Sequence, residues 1–147
     1  MKVRILEALA IIGIISVAIA MAVPRSEYQK RRDVAAILLS DIDTLRQAVY
    51  RFHSDSAYFP TELLTPAIPQ GLRAYLPRGF STNRQYGTLR YRNWPTRPLD
   101  EGESASNVIG VTITPADPRV TATAAAMSPS TAQFTVADKL TVILFGT

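Results

Sequence analysis

The residue of this sequence with the clearest chemical role is Glu7, a carboxylate near the start of the apolar stretch "VRILEALAIIGIISVAIAMAVP", Val3 to Pro24. A carboxylate inside hydrocarbon is costly, and such groups are retained where they pair with a cation. Arg4 lies three residues earlier, within one helical turn, and could neutralise Glu7 in the same chain. The chemistry that these residue types offer is therefore ion pairing in an apolar environment.

Residue types that support catalysis are scarce. The chain has no cysteine, which excludes disulfides, thiolate zinc sites and cysteine nucleophiles. Its single histidine, His53, has no serine or cysteine motif around it, so we expect a polar residue at the end of a helix. We predict neither an enzymatic activity nor a cofactor.

One acidic cluster is a weak metal candidate. Asp100, Glu101 and Glu103 lie in "LDEGES", where oxygen ligands would suffice for Ca²⁺. The EF-hand pattern is absent, and a solvated acidic turn has the same composition. The net charge of +4 is spread without a dense basic patch interleaved with aromatic residues, so no nucleic-acid partner is expected.

The element that positions Glu7 is an apolar helix. From Val3 to Val23 the chain is apolar for 21 residues, interrupted only by Arg4, Glu7, Gly13 and Ser16. A helix of that length spans about 31 Å, which matches the hydrocarbon core of a bilayer.

The next zone, 25–56, is polar but periodic. Its apolar residues recur at spacings of three and four and form one stripe of an amphipathic helix: Val34, Leu38, Ile42, Leu45, Val49 and Phe52. The charged residues of this zone, Asp41 and Asp43 among them, are expected largely off that stripe. Pro24 lies between the two zones and predicts a bend in one long helix.

The third zone, 57–147, predicts a small β-rich head. Three segments have strand patterns, "GTLRYRNW", "NVIGVTIT" and "KLTVILF". Between the last two, "PADPRVTATAAAMSPSTAQ" predicts a surface excursion, although "TATAAAM" could hold a short helix. Tyr86, Tyr91 and Trp94 are expected to pack on the sheet. Because an apolar helix stripe must be buried, the predicted fold is α+β, with the second half of the long helix packed on a small antiparallel sheet. The division is thus 1–24, 25–56 and 57–147.

Two interpretations of the N-terminus follow from the residues alone. Lys2 and Arg4 followed by an apolar region and Ala20-Met21-Ala22 fit a signal peptide that is cleaved after Ala22 and leaves a soluble binding domain. An ordinary single-span anchor fits the length equally. In that case Glu7 would lie near the interface or pair with Arg4.

A third interpretation is a family resemblance. The N-terminus resembles that of bacterial type IV pilins and of the pseudopilins of type II secretion, which carry a glutamate at the fifth mature residue and often a proline at the twenty-second. Counted from Val3, these residues are Glu7 and Pro24. The segments "AIIGI", "FHSDSAYFPTELL" and "LRAYLPRGF" are also similar to sequence segments of that family, so the resemblance covers about the first 80 residues.

The resemblance implies an assembly mechanism. Glu7 would pair with the amino terminus of a neighbouring subunit, at Met1, or at Val3 if an atypical leader is removed. Gly13 and Ser16 would allow close helix packing, and Gly13 and Pro24 would bracket a flexible segment. Charges just outside the filament core would pair between subunits. The candidates are Arg25, Lys30, Arg31, Arg32 and Asp33.

The resemblance also implies partners and a location. The subunit would sit in the inner membrane as a single span, be processed by a prepilin peptidase, and be assembled by inner-membrane machinery into a homopolymer. That polymer would be an extracellular pilus, or a periplasmic pseudopilus if the chain belongs to a type II secretion system.

Overall fold

A computed structural model describes the backbone of residues 2–65, 67–95, 107–129 and 132–146, and the side chains of these ranges except residues 2–24 and 146. It is an α+β protein with a long N-terminal helix and a five-stranded antiparallel sheet. Both features match the fold class that the sequence predicts.

The long helix, α1 (Lys2–Ser56), has 55 residues and is about 80 Å long. Helix geometry continues through Pro24, so this residue does not end the helix although it lacks a backbone donor. The helix stops at Ala57, whose φ of 60° is left-handed and whose N–H donates to the carbonyl of His53 at 2.8 Å.

The head consists of a 3₁₀ helix, five strands and one further α-helix. Its elements in chain order are the 3₁₀ helix Gln70–Tyr75, β1 (Asn83–Arg84), β2 (Gly87–Pro95), β3 (Asn107–Pro115), α2 (Pro118–Met127), β4 (Gln133–Val136) and β5 (Lys139–Gly146). The strand order is β1-β2-β3-β5-β4, and all neighbours are antiparallel. After β3 the chain forms α2, and then β4 and β5 complete the sheet.

One face of the sheet packs on α1, and its register puts apolar residues in rows across the strands. Leu89 pairs with Ile113, which pairs with Leu140. The next row joins Tyr91, Val111 and Val142 in the same way, and all six side chains are buried. Such cross-strand contacts on one face bury apolar surface cooperatively and determine the register.

The predicted stripe of α1 is confirmed. The buried helix residues that join the sheet in one core are Ala35, Leu38, Ile42, Leu45, Val49 and Phe52, with Val34 half-buried beside them. α2 adds Val120 and Ala124 to the same core. The expectation that Asp41 lies off this stripe is wrong, because Asp41 is only 9% exposed and faces the head.

The free edge of β2 is covered by the segment that follows α1. Glu62 accepts the N–H of Asn93 at 3.2 Å, and its carboxylate lies 3.1 Å from Arg90 and 3.4 Å from Arg92. The carbonyl of Pro60 accepts the hydroxyl of Tyr91 at 3.0 Å. Because an uncovered strand edge can pair with another chain, these bonds leave little of β2 available for such pairing.

Candidate assembly surface

The helix α1 separates from the head at about residue 34. Ala35 is the first buried side chain along the described part of the helix. Residues 25–33 are exposed, except that Arg31 is half-buried. This segment, which we call the helix neck, carries four basic and two acidic residues and has a net charge of +2.

All but one of the charged side chains of the helix neck have partners within the same helix. Lys30 Nζ lies 3.1 Å from Glu27 Oε1, and these side chains are 72% and 55% exposed. Gln29 donates to Asp33 Oδ1 at 3.0 Å, and Arg31 Nε donates to the carbonyl of Glu27 at 3.2 Å.

Two further arginines complete the helix neck. The guanidinium of Arg32 stands 5.9 Å from the ring of Tyr28, and Arg25 makes no ion pair with another described residue. Exposed pairs at this spacing contribute only about 0.3–0.5 kcal/mol each. Such weak pairs exchange at little cost for partners on another chain.

Asp41 and Asp43 lie on α1 beyond the helix neck, and their surroundings differ. Tyr86 donates its hydroxyl to Asp41 Oδ2 at 2.7 Å, and Arg84 Nε lies 3.2 Å from the same oxygen. Asp41 therefore fastens α1 to the hairpin of β1 and β2 within one chain. Asp43 remains exposed, 3.5 Å from Arg46 and 2.9 Å from Gln47.

The environment of Tyr86 shows why this contact matters. Its side chain is completely buried. Burial, and then the hydrogen bond to Asp41, raise the pKa of the Tyr86 hydroxyl far above its ordinary value. The phenol therefore stays protonated and remains a donor to Asp41 across the physiological range.

We expect Asp41→Ala to lower the free energy of unfolding by about 2 kcal/mol. The buried hydroxyl of Tyr86 would lose its acceptor, and an unsatisfied buried polar group costs about 1–3 kcal/mol. Arg84 would add little, since its side chain is 36% exposed and solvent screens it. Urea unfolding of the full-length protein in detergent measures the loss.

Asp43→Ala is the matched control, because it removes an exposed carboxylate two residues away on the same helix. Its expected cost is within about 0.5 kcal/mol. Equal losses from the two variants would contradict a specific role for Asp41.

The other aromatic and polar residues singled out by sequence have structural positions. His53 lies in the last turn of α1 and stacks on Phe59, with ring centroids 4.1 Å apart. Tyr91 is buried in the sheet core as expected. Trp94 lies half-buried on the opposite face of the sheet, against Gly110 and 5.3 Å from the guanidinium of Arg92.

Several predicted site residues lie outside the described side chains. They are Met1, Val3, Arg4, Glu7, Gly13, Ser16, Pro24, Asp100, Glu101 and Glu103. Within the described ranges, no three His, Asp or Glu residues lie close enough together to hold a metal ion. In the part of the chain whose side chains the structure describes, which leaves out residues 2–24, no helical segment is sufficiently long and apolar to cross a membrane.

Sequence reasoning missed two carboxylates that bond to distant parts of the chain, Asp41 on α1 and Glu62 in the head. Asp41 and Glu62 both bond to partners that are 28 to 45 residues away in the chain. A carboxylate at the edge of an apolar stripe is the only local signal for Asp41. For Glu62 no local signal exists, because its arginine partners alternate along β2 in the same way as solvent-facing residues.

Comparison with known proteins adds no family assignment, because no protein-family model, curated protein or solved structure matches the chain.

Proposed function

We propose that this chain is the structural subunit of a type IV pilus-like helical filament, assembled from a membrane pool by packing of its N-terminal helices. It acts by polymerising and performs no catalysis. The pilin-like character of the fold is part of the same proposal.

The observation that carries the proposal is the continuity of α1. One helix of 55 residues contains both the apolar run Val3–Val23 and the stripe that is buried against the head. An apolar run of that length needs lipid or other apolar helices around it. A subunit that moves from a bilayer into a bundle of identical helices satisfies this need in both states.

The helix neck supports the same function. Its residues 25–33 are exposed, apart from the half-buried Arg31, and isolated helices as short as this are marginal in water. A soluble domain that begins at Val23 would keep this unpacked segment at its terminus. In a filament, the neighbouring subunits would surround it and offer partners for Arg25, Arg32 and Asp33.

Determining the N-terminus of the protein from the producing cell tests the proposal against the soluble alternative. We expect a start at Met1 or Val3, with the protein in the membrane fraction and in sheared surface or periplasmic fibres. A start at Val23, with the protein fully soluble, would exclude the filament subunit.

A deletion strain separates the two filament types. Loss of surface fibres with normal export of other proteins indicates a pilus. Loss of exoprotein release in cells that never show surface fibres indicates a secretion pseudopilus, in which case the subunit role holds and the filament is short and periplasmic.

A further inference from the structure

We propose that a groove in the head, defined below, docks the acidic segment Leu99–Ser104 of a second copy of this chain. This inference rests on the proposed filament and deepens it, since it names a contact between the heads of adjacent subunits.

The groove consists of two adjoining cavities, of about 360 and 410 Å³, that share Ala67, Ile68 and Arg73. It lies between the 3₁₀ helix and the segment that leads into β1. We call it the basic groove, and its walls combine apolar and cationic side chains: Leu63, Ile68, Leu76, Pro77 and Phe80 are apolar, and Arg73 and Arg78 are charged.

The groove is lined by two cationic side chains, Arg73 and Arg78. Among the residues that the structure describes, no acidic residue lines either cavity. Arg73 and Arg78 are exposed, and neither forms an ion pair with a described residue.

The carboxylates on neighbouring elements are already engaged. Asp41 binds Arg84, and Glu62 binds Arg90 and Arg92. Asp55 accepts the hydroxyl of Tyr75 at 2.8 Å. An anion that enters the basic groove would therefore meet two arginines, and no carboxylate of the described residues would compete with it.

The chain itself supplies a complementary ligand. The sequence "LDEGES" puts three carboxylates, Asp100, Glu101 and Glu103, within four positions, next to the apolar Leu99. This order of an apolar side chain followed by acidic ones matches the apolar wall and the arginines of the basic groove. Complementary charge of this kind orients two partners and determines their register more than it adds affinity.

The acidic segment that docks belongs to a second copy, because within one chain the basic groove and this segment lie at opposite ends of β2. Thr82 lines the groove and its carbonyl accepts the N–H of Leu89, near the start of β2. The acidic segment follows the other end of this strand, at Pro95. Six residues of strand separate Leu89 from Pro95, or about 20 Å.

A contact within one chain would therefore require a fully extended connection. Residues 96–106 must return to Asn107, which is paired with Pro95, so their midpoint, six residues from either strand, reaches at most about 20–22 Å from the strand end. Full extension would cost most of the conformational entropy of the connection. A second copy can present the segment without this cost.

Two different surfaces that meet in this way form a heterologous contact. Such contacts repeat from copy to copy and generate open helical assemblies. A charge contact between heads would add to the packing of the N-terminal helices and would select the axial position of each subunit.

Cysteine cross-linking tests the contact, because the natural chain has no cysteine. Filaments of the double variant Arg78→Cys with Glu101→Cys are oxidised and separated by denaturing electrophoresis. We expect a ladder of dimers, trimers and higher multimers. Each single variant is the control and should remain almost entirely monomeric.

Charge reversal gives a second, independent test. Arg73→Glu with Arg78→Glu should lower filament yield about tenfold, because like charges would then face each other across the contact. Adding Asp100→Arg, Glu101→Arg and Glu103→Arg to the same chain should restore yield to within about twofold of wild type. Arg119→Glu, which changes an exposed arginine of α2 outside the groove, is the matched control and should not lower the yield.

The outcomes separate this inference from the proposed function. Wild-type filaments together with no ladder, or with only an internally cross-linked monomer, would overturn the docking and leave the filament subunit intact. Normal yield from the double glutamate variant would overturn it as well. If the wild-type chain forms no filament at all, the proposed function and the docking fail together.

Discussion

A subunit with Glu7→Ala is expected to remain in the membrane fraction at the wild-type level and to enter filaments at least about tenfold less efficiently. A carboxylate in hydrocarbon is costly while it lacks a partner, and pairing with a cation of the next subunit relieves that cost. Alanine removes both the cost in the membrane and the gain on assembly. Quantifying subunit in membrane and sheared-fibre fractions by immunoblot measures the change.

Two further variants make this test specific. Glu27→Ala removes an exposed glutamate of the same helix, whose partner Lys30 is also exposed, and should leave yield unchanged. Arg4→Ala tests whether Arg4 of the same chain, and not a neighbouring subunit, neutralises Glu7. If Arg4 neutralises Glu7, then Arg4→Ala should change filament yield as strongly as Glu7→Ala does. Normal filament yield from Glu7→Ala would show that Glu7 has no role in assembly.

The second large effect is expected in the head, where Gly87→Ala should destabilise the fold by about 3 kcal/mol or more. Gly87 begins β2 with a φ of +131°, a conformation that is essentially reserved for glycine. A Cβ at this position would overlap the carbonyl oxygen of Thr114 and lie 2.8 Å from the Cα of Pro115. Backbone atoms of the paired strand cannot move aside without loss of the register between β2 and β3.

Gly79→Ala is a control with the same chemical change. Gly79 also has a positive φ, +80°, but a Cβ there would have no neighbour within 4 Å. Its cost is therefore only the conformational one, about 1 kcal/mol. Urea unfolding monitored by circular dichroism ranks the two variants, and equal losses would contradict the steric explanation for Gly87.

The sequence predicted the elements whose apolar pattern is long and regular. The stripe on α1 and the strands β2, β3 and β5 were anticipated because each carries several apolar residues at a helical or strand spacing. The helix α2 was an alternative to the surface excursion that the composition of its segment favours, and the structure shows the helix. Its start at Pro118 is explained by Asp117, which accepts the N–H of Arg119 at 2.9 Å as an N-cap.

Two short strands were not anticipated, for a physical reason. β1 has two residues and β4 has four, and most of their side chains are exposed. Their strand character comes from pairing with the adjoining strands β2 and β5 across two-residue turns, and not from an apolar pattern of their own. The exposed Phe134 and Val136 of β4 alternate with polar residues over only four positions, which is too short a pattern to distinguish an edge strand from a loop.

The candidate site was predictable only in part. The charges of the helix neck can be read from the sequence, since they follow the apolar run directly. The burial of Asp41 could not, because its partner Tyr86 is 45 residues away and is brought to the helix by the turn before β2. The basic groove depends equally on tertiary structure, because Arg73 and Arg78 come together only when the 3₁₀ helix folds back on the segment before β1.

The central claim is that α1 joins a membrane-type apolar segment and a globular head in one filament subunit. Electron cryomicroscopy of fibres sheared from producing cells and purified tests it most directly. We predict helical fibres of this single chain, with the N-terminal halves of the helices bundled at the axis and the heads outside. Purified protein that is monomeric and begins at Val23, or fibres in which the helices lie on the outside, would contradict it.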